Sequence, residues 1–260
     1  MEANLKFDNK WLLQPIAGDT GQAYMGTSDN EKMFIKRNSP PFLAILSREG
    51  IAPKLMWTKR LGNGDVLTAQ EWLDGDLLTS ENLGNHLGVV QILQHLHGSE
   101  NLADMLEKVG GKKMQPLDFL SSYITDLPFG LKDNKYLESI LEYLEHYIPE
   151  PVPLSACHGD PIHNNWLQAA DGHLYLVDWD SSMLADPASD LGTILGRYVD
   201  HDDWTTWLHQ YGIPNNKENM DRIYWYCGMN FLLRIKHYYL QGNFKQVNKE
   251  IALLKKIFIY

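Results

Sequence analysis

His158, Gly159 and Asp160 are followed by Asn165, and then by Val177-Asp178-Trp179-Asp180. Carboxylates and a carboxamide in this order suit phosphoryl transfer. That reaction leaves the protein mainly to position and to neutralise charge, with metal ions on the phosphates and a carboxylate that orients the attacking hydroxyl and accepts its proton. Asp160 fits the carboxylate role. Mg²⁺ takes oxygen ligands and keeps several waters, so one or two side chains plus substrate phosphates complete its shell. Asn165 and Asp178 fit that role. Singly, His158 and Asp160 could hydrogen-bond a turn and Asp178 could cap a strand end; it is the ordered set that points to a site.

The intervening residues say how the set is held. Trp166-Leu167-Gln168 and Leu174-Tyr175-Leu176-Val177 read as strands joined across Asp171-Gly172, and Asp-Gly is a strong two-residue hairpin signal. A two-residue turn there sets Ala170 opposite His173 and, continued along the ladder, Asn165 opposite Asp178. Directly opposed residues have Cβ atoms roughly 4.5–5.5 Å apart. Both side chains are then expected at the open end of one hairpin, with Asp160 on the loop before it.

His158-Gly159-Asp160, Asn165, Val177-Asp178-Trp179 and Asp186-Pro187-Ala188-Ser189-Asp190-Leu191 resemble the signature of the aminoglycoside phosphotransferase and choline kinase superfamily, small-molecule relatives of protein kinases. The resemblance implies an ATP-dependent, Mg²⁺-dependent kinase acting on a small-molecule hydroxyl acceptor. By it, Asp160 is the catalytic base, His158 is a further catalytic residue, Asn165 and Asp178 bind magnesium, and Asp190 anchors the loop from the start of a following helix. A basic residue commonly stands two positions after the catalytic Asp in this superfamily. Here that position is Ile162, and the neighbouring His163 is the candidate for stabilising charge on the transferred phosphoryl group.

A phosphate donor needs a cradle near the start of the chain. Gly18-Asp19-Thr20-Gly21 is a short turn whose Gly18 and Gly21 let backbone N–H groups approach phosphate oxygens, although such a run is also an ordinary turn. Met33-Phe34-Ile35-Lys36 reads as a strand ending in a lysine, and residues 43–51 read as a helix carrying Glu49 and stopped by Pro53. A strand lysine paired with a helix glutamate holds donor phosphates in protein kinases, so Lys36 and Glu49 are expected to pair. Gly62-Asn63-Gly64 turns the chain between strands at 54–60 and 66–72. The segment from Gln70 to Gly75, with Glu71 and Leu73, looks like the linker that offers backbone groups to adenine.

With 260 residues, 44% hydrophobic and 22% charged, the chain can bury a full core. A formal net charge of −10 argues against a general nucleic-acid or anionic-membrane surface. No apolar run reaches the length of a membrane span, and Met1-Glu2-Ala3-Asn4-Leu5-Lys6 lacks the pattern of a signal peptide, so the expected location is cytoplasmic. Cys157 and Cys227 are expected to be free buried thiols. Cys157 and His158 are adjacent, and on an extended chain adjacent side chains point to opposite faces, which argues against a Cys-His nucleophile.

From Ser80 onward the period becomes helical. Leu83, Leu87, Val90, Leu93 and Leu96 share one side of a segment that Ser80 could cap, and Leu137, Ile140, Leu141, Leu144 and Ile148 repeat the pattern. Two more helices are expected between residues 221 and 260, joined near Gly242-Asn243. The fold class is therefore α+β and bilobal, protein-kinase-like. A small, mostly β lobe over residues 1–73 is expected to bind nucleotide, and a larger, mostly α lobe over 74–260 to carry the hairpin and the acceptor site. Asp200 to Asp203 with Trp204, Trp207, Tyr224, Trp225 and Tyr226 could line an acceptor pocket whose acidic and aromatic wall suits a cation, or whose rings suit a sugar or a nucleoside, or the aromatics could simply pack the core.

Ala23-Tyr24-Met25-Gly26, Ile51-Ala52-Pro53, Gln70-Glu71-Trp72-Leu73, Val177-Asp178-Trp179-Asp180-Ser181 and Tyr224-Trp225-Tyr226 resemble a compact branch of the superfamily found in Gram-positive bacteria and linked to cell-cycle regulation. That resemblance implies a ribose-type acceptor, in a nucleoside or a free pentose, and contacts with cell-division or replication proteins. The alternatives are an aminoglycoside or choline kinase, and a nucleotide-binding regulatory protein acting through protein partners.

Overall fold

A computed structural model describes residues 11–16, 22–28 and 31–258. They fall into two compact units, one running to Leu77 and including Trp166–Asp180, the other formed by Leu78–Asn165 and Ser181–Tyr260. Gly18 and Gly21 lie outside the described residues.

The first unit begins with strands β1 (Leu12–Pro15), β2 (Ala23–Ser28) and β3 (Glu31–Arg37), then helix α1 (Leu43–Arg48), then β4 (Leu55–Arg60), β5 (Val66–Glu71) and β6 (Gly75–Leu77). The first five strands form an antiparallel sheet in the order β1-β2-β3-β5-β4. Ile35, Leu67 and Ala69 form its buried centre, with Leu13, Tyr24, Met33, Trp57 and Leu61 packed against them. Alternation along β3 buries Ile35 and turns Lys36 to the other face.

Helix α1 is shorter than expected because it stops well before Pro53. Gly50 has φ +73, the Gly50 N–H bonds the Ser47 carbonyl at 3.2 Å, and the Ile51 N–H bonds the Leu46 carbonyl at 3.0 Å. Those two bonds are the Schellman pattern, with glycine in the left-handed position that ends the helix. Glu49 is thus the cap residue rather than a member of the helical face.

In the second unit, α2 (Leu87–Gly98) and α3 (Glu100–Lys108) precede the short strand β7 (Lys112–Lys113), followed by α4 (Pro116–Ile124), α5 (Phe129–Lys132), α6 (Lys135–His146) and β8 (Ser155–Cys157). The chain then forms β9 (Trp166–Ala169) and β10 (Leu174–Leu176), which belong with the first unit in a sheet ordered β10-β9-β6. It resumes in the second unit with β11 (Met183–Ala185), α7 (Ala188–Tyr198), α8 (Trp204–Tyr211), α9 (Lys217–Leu240) and α10 (Phe244–Ile257). Strands β7, β11 and β8 make a small sheet in that order. The first unit is mostly β and the second mostly α, as expected for the α+β class.

Two expectations in the helical unit need correction. The helix expected from Ser80 starts at Leu87, capped by His86, whose Nδ1 accepts the Gly88 N–H at 3.2 Å. The preceding turn is pinned by Gly84, where a Cβ would stand 1.8 Å from the Tyr198 carbonyl oxygen. Trp225 is 1% exposed, donates its indole N–H to the Leu144 carbonyl at 2.8 Å and packs edge-on against Tyr226. Trp204, Trp207 and Tyr226 are buried as well, so these rings carry packing, and Trp225 has no face open to an acceptor.

Helices α7 and α9 approach closely because Gly192 and Gly196 leave room. A Cβ on Gly192 would lie 2.7 Å from the Cys227 nitrogen, and one on Gly196 would lie 2.3 Å from its sulfur. This crossing fixes the start of α7, from which Asp190 projects. Among the described residues, no helix is long and apolar enough to cross a membrane.

Candidate active site

In the helical unit the loop after β8 is held from beneath by Asp190. Its Oδ2 accepts the His158 N–H at 2.7 Å and its Oδ1 accepts the Gly159 N–H at 2.9 Å. His97, in the last turn of α2, places Nε2 at 3.0 Å from Asp190 Oδ2 and Nδ1 at 2.8 Å from the Tyr211 hydroxyl. Burial alone would push the Asp190 carboxyl up; the bond and charge of His97, with His158 behind them, outweigh it and hold the carboxyl below its ordinary range.

Gly159 is required by the same geometry. Its φ is +83, and a Cβ would stand 2.2 Å from the Ser181 carbonyl oxygen. His158 is fully buried, and its Nδ1 accepts the Asp160 N–H at 3.2 Å. Expected as a catalytic residue, it instead shapes the turn that carries Asp160, because no part of its ring reaches solvent.

Asp160 is presented outward from this frame with its side chain 33% exposed, and Arg234 Nη1 lies 2.5 Å from its Oδ1. Asn165 ends a 3-10 turn from His163 and donates Nδ2 to the Asp160 carbonyl at 2.8 Å; Oδ1 is the atom of its amide able to ligate a cation. His163 bonds the Tyr198 hydroxyl at 3.0 Å through Nδ1. Burial first, then the charges of Lys249, Arg197 and Arg234, hold His163 below the ordinary imidazole value. Each of these influences disfavours positive charge on the ring of His163, the residue beside Ile162.

His97, Cys157 and Asp190 have ligating atoms within 4.8 Å of one another, the spacing of a metal site. They do not fit a metal ion. Both His97 nitrogens and both Asp190 oxygens are already bonded, and burial pushes the Cys157 thiol well above its ordinary pKa, whereas a metal requires thiolate.

In the β-rich unit, Lys36 places Nζ at 2.7 Å from both Asp178 Oδ1 and Asp180 Oδ2. Burial works against charge on Lys36, but the bonds and charges of the two carboxylates outweigh it and raise its pKa. The partners that set this lysine's charge are therefore Asp178 and Asp180, not Glu49 as expected. Glu49, at the end of α1, has Arg48 at 3.6 Å.

Asp178 adopts φ +63, a left-handed conformation that short polar residues tolerate and that clusters at functional sites. The Trp179 indole donates to the Leu176 carbonyl at 2.9 Å and meets Phe42 edge-on at 5.9 Å, fixing the chain just beyond Asp178. Glu71 Oε1 accepts the Lys54 N–H at 3.0 Å, so its carboxylate braces the sheet; Leu73 lies in the segment between β5 and β6.

The hairpin differs from expectation by one residue. Leu174 pairs with Gln168 and Leu176 with Trp166, because the turn has three residues: the Ala169 N–H bonds the His173 carbonyl at 2.8 Å, and Gly172 takes φ +88. Continued, that register sets Asn165 against Val177, so the ladder itself does not oppose Asn165 to Asp178.

Residues 13–226 match the APH family, described as the phosphotransferase enzyme family. The chain belongs to this family. Solved structures share its fold at low identity. The choline kinase LicA from Streptococcus pneumoniae is 18% identical with a TM-score of 0.70, the alignment covering 95% of each chain. Aminoglycoside 2'-phosphotransferase-IIIa, in its GDP complex, is 12% identical with a TM-score of 0.71 over 95% of this chain and 92% of that one. A spectinomycin phosphotransferase in complex with ADP and spectinomycin is 17% identical with a TM-score of 0.61 over 95% and 89%. The protein-kinase-like architecture expected from the sequence is the one these phosphotransferases have.

Sequence reasoning about this phosphotransferase missed His97, Tyr211 and Arg234. A signal for His97 exists: it falls on the same face of α2 as the buried Val90 and Leu93, and a histidine on a core face needs a buried partner. Arg234 has no comparable local signal.

Proposed function

We propose that this phosphotransferase uses ATP to phosphorylate a hydroxyl of a small metabolite, a ribose-type sugar or nucleoside. The observation that carries this reading is the Asp160 carboxylate, partly exposed on a loop whose backbone is fixed by a buried aspartate, with one oxygen held by Arg234. Such a group can orient an acceptor hydroxyl and take its proton as the oxygen attacks phosphorus. Lys36 binds donor phosphates, Gly18 and Gly21 contribute backbone N–H groups to them, and the segment of Glu71 and Leu73 meets adenine. Residues 1–73 serve the nucleotide and residues 74–260 the acceptor.

The residues fit magnesium. Asp178 and Asp180 are two partly exposed carboxylates set against one ammonium, so an excess negative charge remains among hard oxygen donors. Asp178 and Asn165 would hold the ion, which supplies charge neutralisation on the donor phosphates. Lys36, which contacts both carboxylates, would offer its ammonium to the donor phosphates.

A neutral acceptor is favoured over choline or an aminoglycoside by the arginine beside Asp160 and by the burial of Trp204, Trp207 and Trp225, which leaves these rings unavailable to a cation. Resemblance to the cell-cycle branch supports a second role, contact with division or replication proteins. The acceptor class is tested by mass spectrometry after incubating the protein with Mg·ATP and D-ribose, adenosine, choline or kanamycin. Phosphorylated ribose or adenosine is expected; phosphate on choline or kanamycin alone contradicts the assignment.

A further inference from the structure

Arg234 reaches Asp160 from α9, far along the chain, and its planar fork is occupied on both arms. Nη1 lies 2.5 Å from Asp160 Oδ1, Nη2 lies 2.6 Å from the Tyr238 hydroxyl one turn further along α9, and the guanidinium carbon stands 5.3 Å from the centre of the Tyr238 ring. Behind it, Nε is 3.9 Å from Glu250 Oε1 on α10.

Glu250 is itself fixed. Arg197 of α7 contacts both of its carboxylate oxygens, Nη1 at 3.2 Å from Oε1 and Nη2 on Oε2, and lies over the Phe231 ring at 4.6 Å. Both side chains are nearly inaccessible, at 7% and 4% exposure. Charges alternate along Arg197, Glu250, Arg234 and Asp160, so three helices of the core end in a single held oxygen on the loop. Buried ion pairs are tolerable when each charge is matched. Both terminal nitrogens of Arg234 are hydrogen-bonded, while its buried Nε has no hydrogen-bond partner and faces Glu250 only as a charge.

We propose that Arg234 is the positioning residue of the catalytic carboxylate: it fixes Asp160 Oδ1, leaves Oδ2 for the acceptor hydroxyl, and places on α9 the positive charge that the loop lacks at Ile162. The proposal rests on the kinase function assigned to Asp160. A guanidinium suits the task because its rigid fork bonds Tyr238 and Asp160 together, whereas a lysine is a single flexible point charge. With Oδ1 held, rotation of the carboxylate is restricted, and misplacing a catalytic group by about an ångström costs on the order of 100-fold in rate.

The test compares wild type, R234M, R234A, R234K and Y238F in steady-state kinetics, using whichever of D-ribose, adenosine, choline and kanamycin the wild type phosphorylates, with thermal unfolding run alongside. Expected for R234M is a kcat lower by about 10- to 100-fold with the KM for ATP within about twofold. R234K is expected to recover part of the loss, and Y238F to lose several-fold in kcat while keeping its unfolding temperature. Millimolar guanidinium added to R234A is expected to restore activity in part, which a purely structural role does not predict.

Wild-type turnover with R234M at an equal kcat overturns the inference while leaving the kinase assignment standing. Should R234M and R234A fail to fold, Y238F decides the matter, and its kcat equal to wild type overturns the inference. A wild type that phosphorylates none of the four compounds overturns the kinase assignment and this inference with it.

Discussion

His97 and Asp190 meet at 3.0 Å with 2% and 0% of their side chains exposed, joining the last turn of α2 to the first turn of α7. The pair stabilises the loop carrying Asp160, because Asp190 spends its other bonding capacity on the His158 and Gly159 N–H groups. Replacing His97 with leucine removes one of the hydrogen bonds to a buried carboxylate, a change that costs about 1.5–3 kcal/mol. Urea unfolding of H97L is expected to show that loss, and an unchanged midpoint contradicts the structural role.

The same carboxyl gives a pH dependence of defined sign. Asp190 titrates below its ordinary value in the folded protein. Its contribution to stability is therefore complete above the unfolded carboxylate pKa of about 3.9 and is lost as pH falls through the lower folded value. D190N lacks this contribution. Urea midpoints measured from about pH 6 down to pH 2.5 should fall less steeply for D190N than for wild type, and parallel curves contradict the assignment.

Asp178 shares the Lys36 ammonium with Asp180, and the proposed function asks it to exchange that partner for Mg²⁺. Asp178→Ala is expected to weaken Mg·ATP binding on the order of tenfold or more while leaving metal-free ATP binding nearly unchanged. Calorimetric titration with and without magnesium separates the two. Equal weakening in both conditions points to loss of Lys36 orientation instead.

The thiols are predicted to be inert. Burial pushes Cys227 up to about 12 and Cys157 well above its ordinary value, so neither is thiolate near neutral pH. Iodoacetamide at pH 8 should label the urea-unfolded chain at both positions and leave the folded protein unlabelled. Rapid labelling of folded Cys157 contradicts its placement in the core.

Local chemistry was legible where it is set by neighbours in the chain. The Asp-Gly signal placed the hairpin correctly, yet the turn took a third residue. Asp171 Oδ1 accepts the His173 N–H at 2.9 Å, just as Asn63 Oδ1 accepts the Asp65 N–H at 3.1 Å in the other three-residue turn. In each, glycine follows the Asx residue and takes the left-handed position, Gly172 at +88° and Gly64 at +92°. The place of the turn was thus encoded, whereas its length and type, which set register, depended on a side-chain bond.

Other features depended on distant partners. Lys36 meets carboxylates 142 and 144 residues away, and Arg234 meets Asp160 across 74. Nothing local distinguishes these cations from solvated ones. Trp225 illustrates the converse: an aromatic run on a helix suits a pocket or a core equally well, and only the crossing of α7 at Gly192 and Gly196 shows that α9 is embedded.

The central claim is that Asp160 is the carboxylate that receives the acceptor's proton, and Asp160→Asn tests it most directly. The asparagine keeps an oxygen for Arg234 but cannot act as the base. Phosphorylated product should be measured by mass spectrometry for wild type and mutant, with ATP binding followed by calorimetry. The account predicts at least about a 100-fold loss of turnover with ATP affinity essentially retained. Turnover by D160N equal to that of the wild type contradicts it.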